Sequence, residues 1–132
     1  RLSPQQEPAP VAGVGESFDV LPLPGGQALF ATRQGLALAG PGGSRTLLPG
    51  LTFTRLLRLP SKPNVIFAAS QAGLHRLEDF GDGQGPVPSN DTFALGKGLI
   101  TINSLAEAPN GNVWVGTSSL GIRVLGANGT LV

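Results

Sequence analysis

The chain contains a single histidine, His75, set in Gly73-Leu74-His75-Arg76-Leu77. Serine-type hydrolysis would need this residue as its general base, beside a positioned acid and an exposed nucleophile. No Gly-x-Ser-x-Gly segment exists to present a serine on a sharp strand-to-helix turn. The expectation is a half-exposed strand histidine that is not a catalyst. Glu78-Asp79-Phe80-Gly81-Asp82-Gly83-Gln84 has the acidity of a calcium loop but not its spacing. Counted from Asp79, the third and fifth positions are Gly81 and Gly83 and the twelfth is Asn90, where side-chain oxygens are required. This segment reads as a flexible turn, with Phe80 tucked against a sheet edge. Asp19 and Glu107 are the other acids considered for paired-carboxylate chemistry. No acid recurs at one position of the repeats described below, and Glu107 reads as solvated or arginine-paired. Gly13-Val14-Gly15 lacks the rest of a phosphate-binding loop. Asn90-Asp91-Thr92 and Asn128-Gly129-Thr130 read as turn residues. With no cysteine, thiolate metal sites and thiol catalysis are absent. The sequence therefore predicts no enzyme, no cofactor and no metal site.

The elements that would carry these residues follow from composition. Glycine (20) and proline (12) make up about a quarter of the 132 residues, yet 40% are hydrophobic and only 13% charged. Disorder needs few apolar residues and a large net charge, so a folded chain is expected. Glycine and proline spread throughout oppose long helices, because each costs about 1 and 3 kcal/mol inside one. An all-β domain of short strands and tight turns remains. Nine basic against eight acidic residues leave a net charge of +1, too weak a field to hold nucleic acid. No apolar run of about 18 residues is present to span a membrane as a helix. The sequence opens on Arg1 rather than Met, which reads as a processed product or an excised piece of a longer chain.

Three segments repeat. Val20–Thr32 with Gly35-Leu36, Leu56–Ala69 with Gly73-Leu74, and Leu105–Thr117 with Gly121-Ile122 each run apolar strand, polar turn, apolar strand, then a glycine opening a third strand. Gly25-Gly26 and Asn110-Gly111 are hairpin signals of type I′, which needs positive φ at both central residues. Fourth strands are expected at Arg45–Leu48, Asp91–Leu95 and Thr130–Val132. Pro10–Val14 reads as an extra outer strand, and residues 1–8 as a linker or frayed end.

In the second strands, Leu29, Ile66 and Trp114 are expected on one face and Phe30, Phe67 and Val115 on the other. Both faces are apolar, whereas a strand with one solvated face alternates. Four-stranded sheets of about 40–50 residues, covered on both faces by their neighbours, describe β-propeller blades. The expected domain is a partial β-propeller over residues 9–132. Blade one covers about 15–49, blade two about 52–95 and blade three about 99–132, with 10–14 added outside.

The third repeat carries a resemblance. Gly98-Leu99, Ile102-Asn103-Ser104-Leu105, Asn110-Gly111-Asn112-Val113-Trp114-Val115-Gly116-Thr117 and Gly121-Ile122 resemble the two-component-regulator propeller repeat over about 25 residues. Repeats one and two depart from that pattern and lack the tryptophan; Pro109 replaces part of the usual acidic turn. The resemblance implies a periplasmic or extracellular, non-catalytic sensor module that binds a ligand. In such proteins a histidine kinase or diguanylate cyclase region lies elsewhere in the chain. The alternative is a protein-binding scaffold without a small ligand.

Three blades are too few to close a ring. Self-association, or further blades of a longer chain, is therefore expected at the open ends, in a twofold arrangement if two copies join. Propeller geometry also crowds two sets of loops at one channel mouth. The first offers Arg33, Gln34, Ser70, Gln71, Ser118 and Ser119; the second offers Ser17, Thr52, Thr54, Lys97 and Thr101. These are the candidate contacts for a polar small ligand.

Overall fold

The computed structural model describes residues 16–79, 85–95 and 98–126. Within them the chain is all-β: three antiparallel sheets, none closed on itself. Sheet one holds β1 (Ser17–Pro22), β2 (Ala28–Thr32), β3 (Gly35–Gly40) and β4 (Gly43–Leu47) in chain order. Sheet two holds β5 (Phe53–Leu59), β6 (Lys62–Ser70), β7 (Gly73–Glu78) and β8 (Val87–Phe93). Sheet three holds β9 (Ile102–Glu107), β10 (Val113–Thr117) and β11 (Ile122–Leu125). The fourth strands expected from Arg45 and Asp91 begin earlier, at Gly43 and Val87, and Asn90–Thr92 is strand rather than turn. The expected strands Pro10–Val14 and Thr130–Val132, the linker 1–8 and the acidic segment from Phe80 to Gln84 lie outside the described residues.

One local device recurs in all three sheets. The second strand ends in a hydroxyl residue that accepts a backbone N–H from the following turn. Thr32 Oγ1 accepts from Gln34 at 3.2 Å, Ser70 Oγ from Ala72 at 3.1 Å and Thr117 Oγ1 from Leu120 at 2.9 Å. A side-chain acceptor of this kind replaces a backbone partner and closes the turn. Each turn then meets a glycine in positive φ: Gly35 at 135°, Gly73 at 131° and Gly121 at 66°. At Gly73 a Cβ would also lie 2.3 Å from the Phe93 carbonyl oxygen, so strand β8 passes too close for any side chain. Thr32 pairs with Gly35 and Ser70 with Gly73, which fixes the hairpin register at its tip.

At the other end the β1–β2 and β9–β10 loops are three-residue turns, while β5–β6 turns on Pro60-Ser61 alone. Leu23 N–H donates to the Gln27 carbonyl at 2.9 Å, enclosing Pro24-Gly25-Gly26, and both glycines have φ of 76°. Ala108 N–H donates to Asn112 at 2.7 Å around Pro109-Asn110-Gly111. Here only Gly111 has positive φ (87°), so the expected type I′ Asn-Gly turn gives way to a turn closed by one left-handed glycine.

Counting from the hydroxyl anchor, Leu29, Phe67 and Trp114 are equivalent, and so are Phe30, Ala68 and Val115. The expected grouping of Leu29 with Ile66 is therefore corrected. Leu29 and Ile66 are both fully buried in the same core, on facing sheets. In sheet two, Ile66 and Ala68 pack toward sheet one with Leu29, Ala31, Leu36 and Phe53. Val65, Phe67 and Ala69 point the other way and pack with Ile102, Val113, Val115 and Leu125 of sheet three. Alternation along one strand thus fills two cores. On the outer side of sheet three Trp114 is 50% exposed; on that of sheet one Val20 is 49% exposed, whereas Ala37 and Ala39 are buried.

This register makes two expectations for urea unfolding. Phe67→Ala should cost about 3–5 kcal/mol, as core aromatics do, while Trp114→Ala in dilute solution should cost under about 1 kcal/mol. Equal losses would contradict the assignment of faces. Gly73→Ala should cost more than about 2 kcal/mol, because dihedral strain and the Phe93 carbonyl both oppose it.

Candidate functional site

The three first strands lie side by side, β1 against β5 and β5 against β9. Ser17 pairs with Thr32, Phe53 with Ser70 and Ile102 with Thr117. The starts of the first strands and the β2–β3, β6–β7 and β10–β11 hairpins therefore share one end of the stack. This brings most of the sequence-predicted polar residues together.

Many of their hydrogen bonds join neighbouring sheets. Thr52 Oγ1 donates to the Arg33 carbonyl at 2.9 Å, and Thr52 N–H donates to Gln71 Oε1 at 2.8 Å. The Gln71 carbonyl accepts Ile100 N–H at 3.0 Å. Thr54 Oγ1 donates to the Ile102 carbonyl at 2.7 Å, and the Thr101 carbonyl accepts Ser118 N–H at 3.0 Å. Ser118 Oγ also meets Asn103 Nδ2 at 3.2 Å. Arg33, Gln34, Ser118 and Ser119 are exposed at this end, and Ser17 and Thr101 flank them. Lys97 lies outside the described residues. Arg33 pairs with Glu16 at 3.2 Å and lies 5.5 Å from the Phe18 ring centre. Both ends of the ion pair are about 60% exposed (63% and 60%), so water screens most of its attraction. A cleft of about 150 Å³ is lined by Glu16, Thr32, Arg33 and Gln34. That is small against the several hundred Å³ typical of ligand pockets.

Ser70 is not part of this surface. It is 1% exposed, and its hydroxyl lies 2.7 Å from His75 Nε2. His75 itself is 6% exposed, not half-exposed as the sequence suggested. Its Nδ1 lies 3.3 Å from Thr92 Oγ1, and its ring meets Phe53 edge-on at 5.2 Å. The assignment that satisfies each group has Ser70 Oγ–H donating to Nε2 and Nδ1–H donating to Thr92. In the sister sheets the corresponding hydroxyls donate instead to carbonyls, Thr32 to Gly35 at 2.8 Å and Thr117 to Gly121 at 2.7 Å. The Ser–His pair is thus a buried variant of the structural turn found in the sister sheets.

Three carboxylates have roles that their sequence positions did not reveal. Asp19 Oδ2 accepts Leu56 N–H at 2.9 Å, tying β1 to β5, while its Oδ1 accepts Val20 N–H at 2.9 Å. Glu107 accepts Ser61 N–H at 3.1 Å and Ser61 Oγ–H at 2.8 Å, joining sheet three to the β5–β6 turn rather than to an arginine. Asp79 pairs with Arg58 at 3.5 Å, its side chain 8% exposed. Among the described residues no three His, Asp or Glu side chains gather as a metal-binding group. No helix there is long and apolar enough to cross a membrane.

No protein-family model, no curated protein and no solved structure matches the chain.

Burial pushes the His75 imidazole below its ordinary value of 6.5. The unfolded chain therefore takes up this proton first as pH falls. The contribution of His75 to stability should be full above about pH 6.5, decline as pH falls toward the folded-state value, and level off beneath it. Urea unfolding of His75→Phe between pH 7.5 and 5 should lack that decline, because phenylalanine has no titrating ring, and the turn should persist because Ser70 can turn its hydroxyl to the Gly73 carbonyl as Thr32 does to Gly35. An unchanged pH slope in this variant would place the titration elsewhere.

Proposed function

We propose that this chain is a non-catalytic binding module made of about three β-propeller blades, serving as an extracytoplasmic sensor input of a bacterial signalling protein. One observation carries the blade reading: a hydroxyl–turn–glycine device in the same register in three successive sheets, whose first strands lie side by side. Stacked four-stranded units with inner strands converging are the arrangement of propeller blades. The sensor role rests on the resemblance of the third repeat, from Gly98-Leu99 to Gly121-Ile122. A non-catalytic role is supported by the enclosure of the single histidine and by carboxylates engaged in joining sheets.

On this reading the ligand is a polar small molecule met by Arg33, Gln34, Gln71, Ser118 and Ser119 where the inner strands begin. Ser70 is withdrawn from that set by its burial. Exposed guanidinium, amide and hydroxyl groups on short turns suit hydrogen bonding to oxygen-rich ligands. A second reading, a scaffold that binds protein alone, is favoured by the small cleft at this end and by the hydrogen bonds that already join Thr52 to the Arg33 carbonyl, Gln71 to Ile100 and Ser118 to Thr101.

Titration of isotope-labelled protein with a panel of sugars, amino acids and nucleotides should shift backbone amide signals of Arg33, Gln34, Ser118 and Ser119 for at least one compound class. Arg33→Ala should weaken that binding about tenfold, the loss of one charge-assisted hydrogen bond. Signals that stay unmoved across the panel would favour the scaffold reading.

A further inference from the structure

We propose that a small oxyanion binds between sheets two and three, held by the Nε–H groups of Arg76 and Arg123. The inference rests on the strand pairing of those two sheets and is independent of the sensor reading.

Two side-chain nitrogens among the described residues are buried without a hydrogen-bond partner, Nε of Arg76 and Nε of Arg123. Strand register puts both arginines on one interface. Arg76 of β7 pairs with Phe67 of β6, and Arg123 of β11 pairs with Val115 of β10. Directly paired residues share a face of their sheet. Phe67 and Val115 pack in one core, the contact between sheets two and three. The flanking residues agree: Leu74 on β7 and Leu125 on β11, each two positions from its arginine, are buried in that same core. Arg76 and Arg123 therefore extend the contact outward by one strand in each sheet. Counted from Gly73 and Gly121 they lie three and two residues along, a difference in level of about 3.4 Å.

Charge decides what suits this place. Glu78, on the same face of β7, meets Nη2 of Arg76 at 3.4 Å and leaves Nε without a partner. Arg123 has no ion pair among the described residues. This outer part of the interface thus has two guanidinium groups and one carboxylate, an excess of positive charge. Buried donors are almost always satisfied, by protein, by water or by an ion. A neutral water would satisfy a donor but leave two like charges facing each other where solvent is partly excluded. An oxyanion satisfies both donors and offsets the charge. Guanidinium suits such a role because it is planar, always charged and weakly hydrated. The Arg76 side chain is 33% exposed, which leaves a route from solvent to the site.

Inorganic phosphate is the probe, with chloride holding the ionic strength constant. In isotope-labelled protein the Nε–H signals of Arg76 and Arg123 should shift together and saturate with one dissociation constant. The Nε–H of Arg55, which already donates to the Asn103 carbonyl at 2.7 Å, should stay still. Arg123→Gln should weaken phosphate binding at least about tenfold, read at the Arg76 signal, and Arg76→Gln should do the same, read at the Arg123 signal. Arg123→Lys keeps the charge but removes the Nε–H, and should lose affinity to a similar extent. Circular dichroism and urea unfolding check that each variant folds, and if one fails the other reads the same site. Shifts that do not saturate, or that Arg55 shares, would reduce the effect to salt screening and overturn the proposal. Signals unmoved in a large excess of phosphate would also overturn it, assigning the two donors to water. Full affinity in Arg123→Lys would overturn the Nε–H contact in favour of diffuse positive charge.

Discussion

Strand β6 is buried on both sides, and the rest of the stack has to agree with it. Ile66 and Ala68 face sheet one while Val65, Phe67 and Ala69 face sheet three. A slip of one residue in its pairing would exchange these sets and send Phe67 where Ala68 now fits. Both cores would lose their complementarity at once, because protein interiors are packed closely enough to register a single methylene. The Ser70 hydroxyl, the turn and Gly73 pin β6 against β7 at one end. The same device pins the corresponding hairpins of the other two sheets, so three local anchors fix the relative phase of all the faces.

Polar side chains then join what the apolar faces have stacked. Asp19 reaches the backbone of β5, Thr54 and Arg55 reach carbonyls of β9, and Glu107 reaches the β5–β6 turn. Each bond supplies a partner to a backbone group near a first strand, where neighbouring sheets come closest. Such bonds contribute about 1 kcal/mol net each, but they are directional and so resist sliding of one sheet over the next. The same crowding gathers turn residues at one end. An end of the stack that is rigid, polar and built from several chain segments is a common arrangement for recognition.

His75 illustrates how a repeat can diverge without losing its structure. Sheets one and three satisfy the turn hydroxyl with a glycine carbonyl, whereas sheet two satisfies it with an imidazole. The ring fills space beside Phe53 and continues the chain of hydrogen bonds to Thr92. Proximity of serine and histidine by itself does not make a nucleophile, since a substrate must also reach the oxygen.

Much of the architecture is determined by the sequence alone. Glycine and proline density excludes long helices, and the spacing of Gly35, Gly73 and Gly121 marks the start of each third strand. The polar turn residues that share one end follow from the repeat as well. Faces and exposure are decided only by tertiary structure. Ile66 and Phe67 are both apolar, so periodicity cannot say which belongs with Leu29; the Ser70–Gly73 pairing settles it in favour of Phe67. His75 reads as an ordinary strand residue until Phe53, Ser70 and Thr92, from three other strands' ends, gather around it. Trp114 sits in an apolar run that reads as core, and only the stacking order leaves it half in water. The physical reason is the same in each case. A residue's strand and side are local properties set by backbone period, whereas burial depends on what another segment, distant in sequence, brings against that side.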